Sequence, residues 1–224
     1  MSRPKARHLA PDELFLDYAS GALAEGPALA VALHVALDPA AAKAVERLAN
    51  LGGALFDAEG DAASAGAALD DAELQKALGR IEGLAIDPRP ETTPLPKEFA
   101  WAPRALHRYL RRDMSWQSKF GGFEEMALDG IRSHRVSLLR LMPGRGLPMH
   151  AHTGDEFTVV LQGGYTDATG NYGPGDFAVG PEGEHKPVAD AGDPCIALIV
   201  LENPIVLTGP AGRFLNPLVR RGII

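Results

Sequence analysis

Residues 88–99 contain four prolines within ten positions, and they divide the chain into two parts of different character. The four are Pro88, Pro90, Pro94 and Pro96. Each proline removes a backbone donor and biases the preceding residue toward extended geometry, so this segment is predicted to be a semi-rigid linker. Helical patterns fill residues 1–87, whereas short apolar runs separated by turn residues fill residues 100–224. We therefore predict an α+β protein of two domains: a small N-terminal helical module and a C-terminal antiparallel β-barrel or jelly roll.

The first part contains the start and stop signals of four short helices. The third helix is predicted to begin with Asp38 as its N-cap and Pro39 as its first residue. We expect it to end near the glycine pair at 52–53. The fourth is predicted to begin at Asp70. Because the apolar faces are mostly alanine, the module has a thin core and is expected to need a metal or a partner for full order.

The net charge of the chain lies in the helical part. Residues 1–87 carry 14 acidic and 7 basic side chains, whereas the rest of the chain carries 15 of each. This balance favours a basic partner for the helical part and argues against direct binding of nucleic acid. A solvated acidic surface kept for solubility is the alternative. Five apolar residues are candidates either for partner binding or for the module's own core: Leu14, Phe15, Tyr18, Leu29 and Leu33.

Compartment and redox chemistry are constrained by what the sequence lacks. No run of 18 apolar residues could span a bilayer, and the N-terminal stretch has no apolar region of a secretory signal. We therefore expect a soluble, cytoplasmic protein with no membrane partner. The single cysteine, Cys195, excludes an internal disulfide and a multi-cysteine zinc site.

Three histidines and one glutamate in the second part have the spacing of a metal site. His150 and His152 are two apart, so on a strand both imidazoles face the same side. Glu156 follows just before an apolar run, and His185 comes after one further hairpin, where a neighbouring antiparallel strand is expected. Such a set inside a barrel suits one divalent metal, with zinc favoured and iron, manganese or nickel as alternatives. Ordinary core or surface histidines are the competing interpretation.

The same segment resembles the cupin superfamily. The first cupin motif, G-x5-H-x-H-x3-E-x6-G, is matched at every interval by Gly144, His150, His152, Glu156 and Gly163. The second motif, G-x5-P-x-G-x2-H, is matched by Gly175, Pro181, Gly183 and His185, with one residue fewer before the histidine. The resemblance implies that the two histidines and the glutamate of the first motif and the histidine of the second are the metal ligands of a cupin domain.

The helical part opens with His8 and, from Pro11, the stretch PDELFLDYASGAL. These residues closely match the opening of ChrR-like anti-sigma factors, a histidine followed by P-x-D-E-L-L-x-x-Y-A-x-G-x-L, so the helical part resembles the module that precedes the cupin in that family. The resemblance extends over helical module, proline linker and cupin. It implies an anti-sigma factor that wraps an extracytoplasmic-function sigma factor and covers surfaces needed for RNA polymerase. The metal-bound cupin would sense an oxidant or a small molecule and release the sigma factor.

The chain departs from this family at the module's zinc site. The later signature, H-x3-C-x2-C, aligns on His34, Asp38 and Ala41, so both cysteines are absent. His8 and His34 remain as ligand types, with Asp38 as a third, although an N-cap role for Asp38 is favoured. We therefore expect the N-terminal zinc to be lost or weak and both histidines to be vestiges or hydrogen-bond partners. The family's late C-x-C pair is also reduced to Cys195, which is expected to be a small buried hydrophobe.

Two other functions stay open at the level of sequence. One is a metal-dependent cupin dioxygenase or related small-molecule enzyme, with the helical part as a dimerisation arm. No further acid–base pair can be identified near the metal, which favours a sensor over a catalyst. The other is a regulator that has lost its sigma contact and keeps a ligand-binding cupin. The sequence also leaves open whether the cupin forms a homodimer.

Overall fold

The computed structural model describes residues 7–63, 70–84, 95–119, 122–180, 183–210 and 212–221. Most of the predicted linker, the centre of the loop between the third and fourth helices, and Pro181 of the second cupin motif lie outside these residues. Within them, helices dominate the first part and short antiparallel strands the second. The α+β fold class predicted from the sequence is therefore confirmed.

The helices are α1 Asp12–Ser20, α2 Glu25–Leu37, α3 Pro39–Ala63, α4 Asp71–Glu82 and α5 Gly212–Arg220, with 3₁₀ helices at Lys97–Phe99 and Arg104–Tyr109. None of the described helices is by itself both long and apolar enough to cross a membrane; α1 and α2 taken together, with a bend of 108° between them, satisfy the same length and composition test.

The strands are β1 Gln117–Ser118, β2 Glu124–Ala127, β3 Arg135–Leu141, β4 His150–Ala151, β5 Glu156–Gln162, β6 Tyr165–Thr166, β7 Asn171–Tyr172, β8 Phe177–Val179, β9 Glu184–His185, β10 Val188–Ala189, β11 Cys195–Leu201 and β12 Val206–Leu207. The largest sheet has the order β1-β2-β3-β11-β5-β8, and two three-stranded sheets have the orders β10-β6-β7 and β12-β4-β9. Every one of these strand pairs is antiparallel.

The helix-start predictions are confirmed, but the predicted end of α3 is wrong. The Asp38 carboxylate accepts hydrogen bonds from the Ala40 and Ala41 amides at 2.7 and 2.9 Å, as an N-cap does. Asp70 caps α4 in the same way. The helix α3 then continues through the glycine pair at 52–53 to Ala63. Each glycine costs a helix only about 1 kcal/mol relative to alanine, so flanking alanine and leucine residues are sufficient to carry the helix across the pair.

Helix α2 shares one hydrophobic core with the largest sheet. Its Leu29, Val31 and Leu33 are at most 5% exposed, and they belong to the same buried cluster as Val159 of β5 and Leu198 of β11. Phe15 of α1 lies in this cluster as well. The sequence left open whether several of these residues bind a partner or form the core; Phe15, Leu29 and Leu33 form the core.

The compact units of the structure do not coincide with the predicted domains. One unit comprises Met1–Leu48 with Leu95–Ile224, and the other comprises Ala49–Pro94. The predicted boundary at residue 87 differs because α1, α2 and the start of α3 bury their apolar side chains with the strands rather than among themselves. Composition changes at the prolines, but burial changes near residue 48.

The second unit contains the distal half of α3 and the whole of α4. All of its described side chains are exposed. They include seven large apolar residues, which we call the exposed apolar set: Leu51, Leu55, Phe56, Leu74, Leu78, Ile81 and Leu84. No side chain in the described part of this unit is buried. Exposed apolar residues in such number are typical of a surface that another molecule covers.

The shared core predicts that α1, α2 and the barrel unfold together. Replacing Leu33, which has no exposed surface, by alanine removes packing on both sides of the helix–sheet interface. We expect Leu33→Ala to lower the free energy of unfolding by about 2–5 kcal/mol. Urea denaturation followed by far-UV circular dichroism and by tryptophan fluorescence should give one transition at the same midpoint.

The matched control is Leu55→Ala, because Leu55 is 61% exposed. It should change the free energy of unfolding by no more than about 0.5 kcal/mol. Two separate transitions in the wild-type chain, or equal effects of the two substitutions, would contradict a core common to helices and barrel.

Candidate metal centre

The four predicted ligands come from three strands and a turn. His150 lies on β4, directly opposite His185 on the antiparallel strand β9. Glu156 begins β5, and His152 follows β4 in the connection between them. The sequence expectation that His185 lies on a neighbouring antiparallel strand is therefore confirmed, and the partner strand is the one that carries His150.

The donor atoms of these four residues lie close enough to share one ion. All four ligand atoms are within 4.8 Å of one another. The His152 Nε2 atom is 2.6 Å from Glu156 Oε2 and 2.7 Å from His185 Nε2. His150, Glu156 and His185 are buried, and His152 is nearly so. This is the only such group of at least three ligand-type side chains among the residues that the structure describes.

A divalent cation would satisfy a polar atom that the protein leaves without a hydrogen bond. Glu156 Oε2 is fully buried, and its short contact with His152 is not aligned as a hydrogen bond. The other oxygen, Oε1, accepts from Thr158 Oγ1 at 3.2 Å. Gly180 keeps the space beside Oε2 open, since a Cβ built there would lie 2.9 Å from Glu156 Cβ. A buried carboxylate oxygen is costly without a partner, and a metal ion supplies one.

Two of the histidines are oriented by hydrogen bonds from their other ring nitrogen. His150 Nδ1 donates to the Pro148 carbonyl at 2.8 Å, which leaves Nε2 with a lone pair. His185 Nδ1 lies 3.4 Å from Asp167 Oδ2. Such outer contacts fix the tautomer and the ring orientation that a metal ligand needs. The sequence analysis missed Asp167, although the turn-forming D-x-T pattern that places it was visible.

The ionisation states also suit a metal. Burial lowers the pKa of His150 to about 4, so its imidazole is neutral at pH 7. Burial alone would raise the pKa of Glu156, but the three histidines, His152 foremost, hold it below its ordinary value. Neutral imidazoles and an ionised carboxylate are the forms that coordinate divalent cations.

An apolar cavity of about 70 Å³ adjoins the candidate centre. His150 and Glu156 form part of its wall, together with Leu147, Leu207 and Val219 of α5. Cys195 belongs to the barrel interior nearby, is 1% exposed, and has its thiol pKa raised to about 12 by burial. It remains a protonated thiol, in agreement with the expectation of a small buried hydrophobe.

His34, aligned with a zinc ligand of the resembling family, makes hydrogen bonds through both ring nitrogens. Its Nδ1 donates to the Gly175 carbonyl at 2.7 Å, and its Nε2 accepts from the Ala10 amide at 3.3 Å. The ring is fully buried between Phe15 and Phe177. With one nitrogen protonated and the lone pair of the other engaged, this imidazole has no site left for a metal in this conformation.

His8 and Asp38 also have other partners. His8 packs on the Tyr172 ring at 4.5 Å, and its Nε2 lies 3.2 Å from the Asn171 carbonyl. The Asp38 carboxylate caps α3, which is the role that the sequence analysis favoured. The structure therefore gives each of the three remaining ligand-type residues a hydrogen-bonding role.

Together, the helices, the antiparallel sheets and the clustered ligands define a cupin barrel with an N-terminal helical module. The family model of the ChrR cupin-like domain matches residues 108–203. The anti-sigma-E factor ChrR of Cereibacter sphaeroides is 30% identical over 218 residues, which cover 96% of this chain and 98% of that protein. The chain belongs to the ChrR family.

A solved structure agrees with this assignment. Rhodobacter sphaeroides SigE in complex with the anti-sigma ChrR matches with a TM-score of 0.69 and 30% identity. The match covers 87% of this chain and 98% of the solved one. The family resemblance inferred from the opening motif and the domain order is thus confirmed over nearly the whole length.

The ligand set predicts one tightly held divalent ion per chain. Replacing His185 by alanine removes a ligand, and we expect zinc affinity to fall by more than about 100-fold, since losing an outer partner alone costs 10–100-fold. Elemental analysis and competition with a chromogenic chelator measure this. His107→Ala, on the 3₁₀ helix Arg104–Tyr109, is the control and should bind zinc as the wild type does. Equal affinities for both variants would disprove the assignment.

The buried His34 predicts a loss of stability in acid. Burial lowers its pKa in the folded chain, so on acidification below about pH 6.5 the unfolded state takes up a proton that the folded state does not. Folded-state stability should therefore fall as pH decreases, with a contribution from His34 of up to about 1.4 kcal/mol per pH unit.

The variant His34→Gln keeps a donor and an acceptor but cannot be protonated. Urea denaturation of both proteins between pH 8 and 5 should show a smaller loss in the variant. Above about pH 7.5 the imidazole is neutral in both states, so the difference between variant and wild type should become independent of pH. Parallel curves over the whole range would contradict a neutral, buried His34.

Proposed function

We propose that this chain is an anti-sigma factor that binds and occludes an extracytoplasmic-function sigma factor. The observation that carries this proposal is the relationship to ChrR across helical module and cupin together, since the matched solved structure is a complex of ChrR with SigE. A cupin match alone would not support it, because cupin folds host many unrelated functions.

The second unit supplies a surface of suitable chemistry for this partner. Residues 49–94 carry nine acidic and three basic side chains, so most of the net charge of −7 lies there. The exposed apolar set lies in the same unit, on the distal half of α3, on α4 and, for Leu84, directly after α4. A DNA-binding partner with a basic surface would be attracted over long range by the acids and held by burial of the apolar residues.

The proposed contact residues therefore differ from those chosen from the sequence. Phe15, Leu29 and Leu33 are buried in the core, and Leu14 and Tyr18 pack partly against it. Helical periodicity identifies an apolar face but not what covers it, which is why the sequence left contact and core roles open for these residues. We assign the principal contact to the exposed apolar set, with Leu14 and Tyr18 as additional candidates.

The cupin is proposed to be the sensory part of the molecule. His150, His152, Glu156 and His185 would hold one divalent metal, and nitrogen and carboxylate donors suit zinc, with iron, manganese and nickel as alternatives. Bound there, the metal would supply a Lewis-acidic centre next to the apolar cavity. An oxidant or small molecule that reaches this site would trigger release of the sigma factor.

Several finer points belong to the same proposal. The hydrogen bonds of His8, His34 and Asp38 favour a module without its own zinc ion. We place the protein in the cytoplasm, where a sigma factor acts, with no membrane or nucleic-acid contact of its own. Dimerisation through the cupin is a separate question that sedimentation would answer. The enzyme alternative is less favoured, because the relative that matches the whole chain is a regulator.

The proposal predicts that the exposed apolar set controls sigma binding. Leu74 is 49% exposed and lies in the first turn of α4, where an acidic residue is favourable, so Leu74→Asp should keep the helix. We expect it to weaken binding by about 10-fold or more, since a buried apolar anchor is replaced by a charge. The measurement is binding of the purified full chain to purified extracytoplasmic-function sigma factors of its own host.

Met142→Asp is the matched control, because Met142 is 48% exposed but lies directly after β3 on the barrel. It should bind the sigma factor like the wild type and inhibit sigma-dependent transcription equally. The proposal fails if the wild-type chain binds none of these sigma factors. If the two substitutions weakened sigma binding equally, the second unit would not be part of the proposed interface.

A further inference from the structure

One segment of the barrel contacts both the candidate metal centre and the start of the helical part. We call residues 165–177, which include β6 and β7 and the start of β8, the bridging segment. Its β6 end carries Asp167, which contacts a candidate metal ligand, and its β8 end contacts His8 and His34.

At the metal end, Asp167 is held firmly by the segment itself. Its Oδ1 accepts from the Thr169 amide at 2.8 Å, from Thr169 Oγ1 at 2.6 Å and from the Gly170 amide at 3.2 Å. Its Oδ2 faces His185 Nδ1 at 3.4 Å. Despite partial burial, these donors hold the pKa of Asp167 below its ordinary value, so a charged acceptor is aimed at the ring of His185.

At the helix end, the segment binds the chain just before α1. The Asp176 carboxylate, 2% exposed, accepts from the Arg7 and His8 amides through Oδ1 and from the Gly173 amide through Oδ2. The Phe177 amide donates to the His8 carbonyl at 3.0 Å. One backbone hydrogen bond and one buried carboxylate therefore attach the chain before α1 to the start of β8.

The same end also holds α2. His34 donates to the Gly175 carbonyl and accepts from the Ala10 amide, so its ring joins the segment to both α2 and the residue before α1. Helix α2 leads through Asp38 directly into α3, the distal half of which carries part of the exposed apolar set.

The two ends are linked by contacts inside the segment. Thr169 Oγ1, which binds Asp167, also lies 2.9 Å from the Tyr172 hydroxyl. The Tyr172 ring packs on His8 at 4.5 Å and stacks on Tyr165 at 4.8 Å. An unbroken series of contacts thus runs from His185 through Asp167, Thr169 and Tyr172 to His8.

We propose that the bridging segment couples occupancy of the metal centre to attachment of the N-terminal helices, with Asp167 and Asp176 as positioning residues at its two ends. A metal ion bound to His185 would fix the imidazole ring that Asp167 faces and so order the bridging segment. The ordered segment would then hold His8, Ala10 and α2. Loss of the metal, or chemical change of its ligands, loosens this attachment. This inference rests on the proposed function, because the helices matter as the part that binds the sigma factor. The bridging segment would supply the route by which a signal at the cupin reaches those helices.

Thermodynamic linkage makes this inference testable at Asp176, at the end of the bridging segment that contacts the helical part. If metal binding strengthens the attachment by some factor, breaking the attachment weakens metal binding by the same factor. Asp176 is not a candidate ligand, and none of the three backbone amides that donate to its carboxylate belongs to one. We expect Asp176→Ala to raise the dissociation constant for zinc by about 5-fold or more, within the range typical of coupled sites.

The experiment titrates zinc alone into the metal-free full chain against a chromogenic chelator. Glu124→Gln is the control, because it breaks the 2.5 Å ion pair with Arg140 between β2 and β3 and leaves the bridging segment untouched. Its zinc affinity should stay within 2-fold of the wild type even if its melting temperature falls. If the role of Asp176 were purely structural, zinc affinity would fall together with the melting temperature in both variants.

Hydrogen exchange gives a second readout on the wild-type chain. Removing zinc should accelerate exchange of the His8, Ala10 and Phe177 amides several-fold while leaving the β3 and β11 amides unchanged. Should Asp176→Ala not fold, His8→Ala removes only the Tyr172 and Asn171 contacts and should weaken zinc binding about 2- to 5-fold. Unchanged zinc affinity in the folded variants, or exchange at His8 and Ala10 insensitive to zinc, would overturn the inference.

Neither readout contains a sigma factor. A chain that shows the coupling but binds no sigma factor would therefore refute the proposed function alone. A chain that binds sigma without the coupling would refute only this inference.

Discussion

Burial of β5 and β11 on both faces is the constraint on which the rest of the structure depends. Phe157 and Val159 of β5 face the core shared with α2, whereas Glu156 and Thr158 alternate with them toward the barrel interior. Because successive side chains point to opposite faces of a strand, one short segment packs a helix and supplies a candidate metal ligand. The same double burial explains why β11 is an uninterrupted apolar run, CIALIVL, instead of an alternating one.

Much of the fold was predictable because its signals are local. Proline and the capping aspartates gave the helix starts, and apolar runs gave the long strands. The two-residue strands β4 and β9 were not visible as strands, since no periodicity exists over two residues, although motif spacing still located His150 and His185. The division into compact units differs from the predicted domains for another reason: apolar spacing shows that α2 has a face to bury but not that a sheet covers it.

The candidate site likewise contains residues that the sequence predicted and residues that it did not. The four ligands follow a fixed spacing along the chain, so the sequence predicted them together. Asp167, Tyr172 and Asp176 matter through contacts with residues up to about 170 positions away, such as the Asp176 contact with the His8 amide. No local pattern encodes such pairs. The sequence shows Asp38 and Ala41 at the positions of the family's two cysteines, but it does not show the contacts of His34 with Gly175 and Ala10.

The isolation of α4 has a consequence for how firmly a partner can be held. Its 12 residues bury no side chain, and helices of this length are marginal in water when nothing packs against them. In the proposed contact, part of the binding free energy would go into ordering this helix, which lowers the affinity per unit of interface area. A sigma factor held in this way would be released by a small loss of binding free energy.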